Sequence, residues 1–346
     1  MSQTPLKPLN PLNEPNWDER VLASGSTCVF HSRAWIQTLT ESYGCEPVFL
    51  TRSRDALFDM LIPLMHVQSW ATGRRGVSLP FSDNCQWIIP AGDSEAVFER
   101  LHEEGRLRRW RYLETRNGMH GSKPAPVFER LWHHELLLTP SASTLWQGLK
   151  SEVHTALRKA QGAGVEVRFT HDLADLREFY RLHSLTRRNQ GIPPQPWMFF
   201  ERLYRNVIVS GLGEVGIAFQ KGVTLASAIY FYFGHSALYK FGASDPRLLT
   251  LRANNALMWA AITRCAQMGF TELSLGRTDL TNEGLRRFKL GWGCRESPLD
   301  YFRYDYRLET FLKKTGKSAQ WPHCFIRHSP LLLIKLVGKL LYPHRS

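Results

Sequence analysis

The sequence predicts an α/β protein made of two similar units, each a mixed, largely antiparallel sheet flanked by helices. Two observations carry that expectation. Helical and two-residue apolar periods follow the same order in both halves of the chain, and 346 residues exceed what a single core usually organises. Apolar residues make up 43% of the chain without a long biased tract, so a folded core is expected throughout.

In the first half, "SRAWIQTLTESYG" has helical spacing and a stop at Gly44. "CEPVFLTRSRDALFDMLIPLMHV" and "GVSLPFSDNCQWII" read as strands, "SEAVFERLHEEGRLRRW" as a helix and "RYLETR" as the strand after it. The second half opens on "LKSEVHTALRKAQGAGVEVRF". This stretch sets Lys150, Arg158 and Lys159 near a helix end, and Gly162 and Gly164 release the chain into a strand. Asp172 is placed to cap a helix with Leu173, Leu176, Phe179 and Tyr180 on one stripe, and "WMFFERLYRNVI" suggests another. Three alternating runs follow, turning at Lys221-Gly222 and Gly234-His235, which predicts an antiparallel meander. "ANNALMWAAITRCAQMG" is then helical and "FTELSLG" a short strand, so a strand-helix-strand crossover closes the sheet. The expected division is a tail at 1–20, a first domain at 21–145, a second at 146–310 and a basic amphipathic tail at 311–346.

The tail segment "SPLLLIKLVGKLLYP" falls short of the roughly 20 apolar residues a spanning helix needs. Lys335 and Lys339 lie four apart, with His328, His344 and Arg345 flanking them. Two readings stand: a helix docked on the protein's own core, or an interfacial helix in peripheral contact with an anionic membrane.

The formal net charge of +13 favours polyanionic company, whether nucleic acid, anionic lipid or a phosphate-rich substrate. Six scattered cysteines without a CxxC pair signal neither a disulfide framework nor a zinc site, and the Pro- and Asn-bearing N-terminus lacks the apolar run of a signal peptide. A reduced, cytoplasmic protein is expected, peripheral at the inner face of the cytoplasmic membrane if the tail binds there. "GLGEVG" has dinucleotide spacing, but an alternating strand follows it instead of a helix, so it reads as a turn. His133 and His134 lack metal-ligand spacing, and no metal is expected.

The strongest local signal is "EGLRRFKLGWGCRE". It follows the predicted strand "LSLG", and Arg277 and Asp279 are expected just past that strand's C-terminal end, where open α/β sheets bind ligands. Arg286, Arg287 and Lys289 put three cations in four positions, while Gly291 and Gly293 let backbone or ligand approach closely. Phosphate or a developing oxyanion needs such donors, and a solvated basic face is the alternative.

"GLRRFKLGWG", preceded by "LSLGR" and "LRANNALMWAAITRCAQMGF", resembles the signature of the Fem-like aminoacyl transferases, two tandem acyltransferase domains of the GNAT superfamily. "LRKAQGAGVEV" resembles the start of their second domain. "FHSRAWIQTLTESYG" and "VSLPFSD" resemble the first domain of bacterial relatives associated with exopolysaccharide or cell-envelope systems. The resemblance implies transfer of an acyl or aminoacyl group to an amine of an envelope precursor or glycan. The implied donor is aminoacyl-tRNA or acyl-CoA, with no bound cofactor. It makes Phe288 and Lys289 substrate-proximal, with Trp292 beside them and Lys289 binding phosphate or stabilising the reacting carbonyl. Asp279 and Asp83 are candidate proton acceptors, and Arg277, Arg286, Arg158 and Lys159 candidate anion contacts. "PRLLTLRANN" lacks the R-x-x-G-x-G/A phosphate loop of acetyl-CoA-binding relatives, which leaves the helix N-terminus near Arg252 to Asn255 for phosphate. A non-catalytic binder of an anionic precursor or lipid, and a nucleic-acid binder, are the competing readings.

Overall fold

The computed structural model describes residues 5–90, 92–117, 125–314 and 323–344. Arg345 and residues 315–322 of the expected tail lie outside the described residues. The chain begins β1 (Lys7–Leu9), α1 (Trp17–Ala23), α2 (Arg33–Tyr43), β2 (Glu46–Pro47), β3 (Phe49–Arg54), β4 (Leu57–Ile62), β5 (Met65–Ser69) and β6 (Gly73–Val77). It continues through α3 (Ser94–Leu107), β7 (Tyr112–Arg116), β8 (Glu129–Leu137), α4 (Ala142–Gln147), α5 (Ser151–Gly162), β9 (Glu166–Thr170), α6 (Leu173–Asn189) and α7 (Trp197–Leu203). Next come β10 (Gly213–Gln220), β11 (Val223–Phe233), β12 (Ser236–Ser244), α8 (Ala253–Gln267), β13 (Glu272–Asp279) and α9 (Glu283–Leu290). The last elements are β14 (Arg295–Asp305), β15 (Thr310–Phe311), α10 (His323–His328) and α11 (Leu331–Leu341).

Two compact units result: Met1–Leu131 with Pro298–Ser318 and Leu341–Ser346, and Trp132–Ser297 with Ala319–Leu340. In the first, β1, β3 and β4 form an antiparallel sheet, and a second path runs β2-β5-β6-β7-β14. Only β6 and β7 are parallel on that path, because α3 carries the chain between them. Leu50, Ile62, Leu101, Trp110 and Leu113 centre its core. Residues expected to form an N-terminal tail supply β1 and the start of α1, whose Trp17 is buried against Phe49 and Phe58. "GVSLPFSDNCQWII", expected as strand, is mostly loop: pairing ends at Val77 and resumes as one bridge, Leu61 to Ile88. Leu79 and Phe81 take φ of 47° and 62°, outside the extended range a ladder needs. The buried Arg116 guanidinium holds that turn by donating to the carbonyls of Leu79 at 3.3 Å and Ser82 at 2.9 Å.

In the second unit, β9 to β12 are antiparallel neighbours in sequence order and β13 adds parallel to β12, with α8 between them. Both turns fall where the sequence puts them. α8 packs on one face of the meander and α6 on the other. β11 is therefore buried continuously from Leu225 to Phe233 and does not present one apolar and one wet face. Leu257, Ala261 and Ile262 of α8 close one half of the core with Leu225, Ala228 and Leu273. Phe179, His183, Phe200 and Phe241 stack in the other. Asp172 is the residue before α6 as expected, but its side chain makes no capping bond.

Candidate active site

β12 and β13 are registered over only three residues each, Ser236 to Leu238 against Glu272 to Ser274. Beyond that point each strand runs on without pairing to the other, β12 to Ser244 and β13 to Asp279. Two parallel strands that part leave main-chain groups in the C-terminal half of β13 without β12 partners, and these need donors and acceptors from elsewhere. Lys289 supplies donors: its Nζ donates to the carbonyls of Gly276 at 3.0 Å and Arg277 at 2.9 Å. Its side chain is 2% exposed, so a positive charge is carried into the fold at this strand end. Gly276 has φ of +67°, which turns the strand there at no Cβ cost.

The turn into α9 is built locally. Asp279 Oδ1 accepts from the Thr281 N–H at 2.9 Å and hydroxyl at 2.6 Å, and Asn282 Oδ1 caps the helix at the Leu285 N–H, 3.1 Å away. α9 then faces Lys289 inward, packs Phe288 edge-on to the buried Trp292 at 5.9 Å, and leaves Arg287 outward. The Gly-Trp-Gly turn serves backbone contact. A Cβ on Gly291 would meet Val153 at 2.9 Å, and one on Gly293 would meet the Gly148 carbonyl oxygen at 2.9 Å. Gly293 also holds φ of +81°, and the Gly291 carbonyl accepts from the Lys150 N–H at 3.0 Å.

A charge-linked chain lies beside Lys289 that sequence reasoning missed. Arg286 makes a two-point bond to Glu296, both contacts at 2.8 Å, and sits 5.1 Å over the Trp132 ring. Glu296 also lies 3.0 Å from His134 Nε2, and His134 Nδ1 lies 3.4 Å from Thr278 Oγ1. Burial first, and then the Lys289 charge, push the His134 imidazole down to about 4, so it is neutral at pH 7. The bonds from Arg286 hold Glu296 below the usual glutamate range. No spacing rule links His134 to Glu296, 162 positions apart; only the fold joins them.

The remaining expected site residues are placed as follows. Arg277 and Asp279 lie within β13, because the strand extends two residues past Arg277, and both side chains are exposed. Arg158 and Lys159 are exposed near the C-terminal end of α5, Lys159 in its last turn. Asn255 is in the first turn of α8, its N–H donating at 2.9 Å to the carbonyl of Arg252, which holds φ of 57°. Asp83 stands in the first unit, its carbonyl accepting from Tyr301 Oη at 2.6 Å. A second perturbed carboxyl, Glu135, is pushed up by burial and by its neighbour Glu272. That pair sits at the closed, paired end of β12 and β13, roughly 23 Å along the strand from Asp279. Burial pushes the Cys294 thiol up to about 12, which removes it as a nucleophile near neutral pH. Among the described residues no cluster of three or more His, Cys, Asp or Glu is arranged to hold a metal ion.

Residues 148–293 match the family model described as an acetyltransferase (GNAT) domain. Comparison with curated proteins returns no match. Among solved structures, the chain is similar to FemX, with 12% identity over 83% of this chain and 96% of that one and a TM-score of 0.67. It is also similar to the C-terminal domain of a putative lysylphosphatidylglycerol synthetase from Agrobacterium fabrum, at 13% identity over 82% and 90% with a TM-score of 0.52. A tandem GNAT protein from the clavulanic acid biosynthesis pathway aligns at 10% identity over 87% and 98%, also with a TM-score of 0.52. At such identities the likeness is one of fold. Together with the match to the acetyltransferase (GNAT) domain model at residues 148–293, which covers under half of the chain, it shows a tandem GNAT fold.

Proposed function

We propose that the protein transfers an acyl or aminoacyl group to an amine of a cell-envelope precursor or glycan, with acyl-CoA or aminoacyl-tRNA as donor. The observation that carries this reading is the buried Lys289 ammonium at the strand end where β13 leaves β12, inside the acetyltransferase-matched segment. The amine nitrogen attacks the donor's ester or thioester carbonyl, a tetrahedral oxyanion forms, and the C–O or C–S bond then breaks. The leaving hydroxyl or thiol takes up the proton that the amine gives up, and the product is an amide. Lys289 fixes the Gly276 and Arg277 main chain and biases the site toward negative charge. Arg277 adds an exposed cation for donor phosphate, and Asp279 is the nearest carboxylate along the chain for the amine proton. The likeness of fold to FemX and to a putative lysylphosphatidylglycerol synthetase, the latter named for a lipid product, supports an envelope acceptor by analogy.

The test incubates purified protein with labelled acetyl-CoA, longer acyl-CoA and charged tRNA pools against envelope extracts, with mass spectrometry of the amine products. A new amide in the wild type, reduced about 100-fold or more in Lys289→Ala, is expected. No amide with any donor, or undiminished turnover by a folded Lys289→Ala protein, would reject the reading. Charge-dependent binding without turnover would support the non-catalytic binder.

A further inference from the structure

We propose that the outer face of α11, together with Phe325 of α10, is a docking surface for an anionic lipid bilayer. α11 is two-sided. Its inner side seats Ile334 and Gly338, both buried, and a Cβ on Gly338 would lie 2.1 Å from the Pro194 carbonyl oxygen. Lys335 closes the seat from the side, 4.9 Å over the Tyr180 ring. Docking on the protein's own core therefore accounts for that side of the helix and no more. The opposite side carries Leu332, Leu336 and Leu340, one helical turn apart and 83%, 54% and 62% exposed, with Leu333 at 40%. Phe325, 61% exposed, continues the patch across a cleft of about 570 Å³ that it lines with His328, Ser329, Pro330 and Leu333. Scattered exposed leucines are ordinary, whereas a contiguous stripe with a basic border marks a contact surface.

Charge selects the occupant. From Thr310 to Ser346 the sequence has seven Lys or Arg and no Asp or Glu. Lys339 borders the leucine stripe, and Arg327 and His328 border Phe325, all three exposed. A second copy of this face would bring like charges together, while an anionic leaflet complements them. The helix has 11 residues, and no described helix is long and apolar enough to cross a membrane, so α11 lies in the interface plane. This inference stands apart from the transfer reaction, because its readout is vesicle binding.

Full-length protein is sedimented with vesicles of phosphatidylcholine alone and of phosphatidylcholine mixed with phosphatidylglycerol. Binding to the mixed vesicles is expected, weakened at least about tenfold by combined Leu332→Ser, Leu336→Ser and Leu340→Ser changes and several-fold by Lys339→Glu. Circular dichroism and Tm should be retained in these variants, since the altered side chains are exposed. Three results would overturn the proposal: no binding to mixed vesicles, equal binding to neutral ones, or equal binding by the triple variant. A lipid-free dimer that the triple variant abolishes would assign the face to a second copy instead.

Discussion

At the residue scale, the three cations of "LRRFK" have three different fates, set by which side of α9 each occupies. Arg287 is solvated, Arg286 is neutralised by Glu296, and Lys289 is buried on two carbonyls. Spacing alone put all three in one candidate patch, and only the family resemblance singled out Lys289, because spacing on a short helix does not say which side meets the sheet. Lys289→Met removes the donor from two main-chain acceptors while relieving a buried charge, so a net loss of about 1–3 kcal/mol in chemical denaturation is expected. His134 gives a pH signature. Its folded pKa of about 4 lies below its ordinary value of 6.5, so between these values the unfolded chain binds the extra proton. Its contribution is complete above pH 6.5 and is lost progressively as pH falls toward 4. Glu296, held below the usual glutamate range, loses its own contribution only at lower pH. Tm measured from pH 7.5 to 4 should fall in the wild type and fall less steeply in His134→Asn; equal slopes would remove His134 as the source.

At the element scale, the Gly-Trp-Gly turn was legible as a place of close approach, but not what approaches. Gly291 and Gly293 meet Val153 and Gly148, so the turn locks α9 to the α4–α5 connection. Gly293→Ala combines a positive φ with a main-chain clash and should cost more than about 1 kcal/mol, read as a lower urea midpoint with unchanged slope. The meander shows the same limit. Its turns and strand lengths follow from local periodicity, whereas the burial of both faces of β11 depends on helices distant in sequence. Those layers also hide Glu214 on β10, which accepts two bonds from Arg264 of α8, at 2.7 and 2.9 Å, and one from Tyr232 at 2.5 Å. Glu214→Ala should cost about 2–4 kcal/mol, since it strands Tyr232 and a half-buried guanidinium, and calorimetry can check it.

At the scale of the whole molecule, the +13 charge was the least specific signal and remains a field rather than a site. Both proposed donors are polyanions, so raising salt from low to high ionic strength should increase the donor KM several-fold while leaving kcat within about twofold. A salt-insensitive KM would show that the positive field plays no part in donor capture.

The sequence by itself determined the α/β class, the order of helices and strands from Lys150 to Gly276, the meander turns and the strand-helix-strand crossover. Each of these rests on contacts between residues close along the chain. Only the tertiary structure decided where β6 stops, that Lys7–Leu9 and the start of α1 join the fold, that α11 is half docked and half exposed, and that His134 and Glu296 stand beside Lys289. These depend on which surfaces meet across long stretches of chain, and no local period records that.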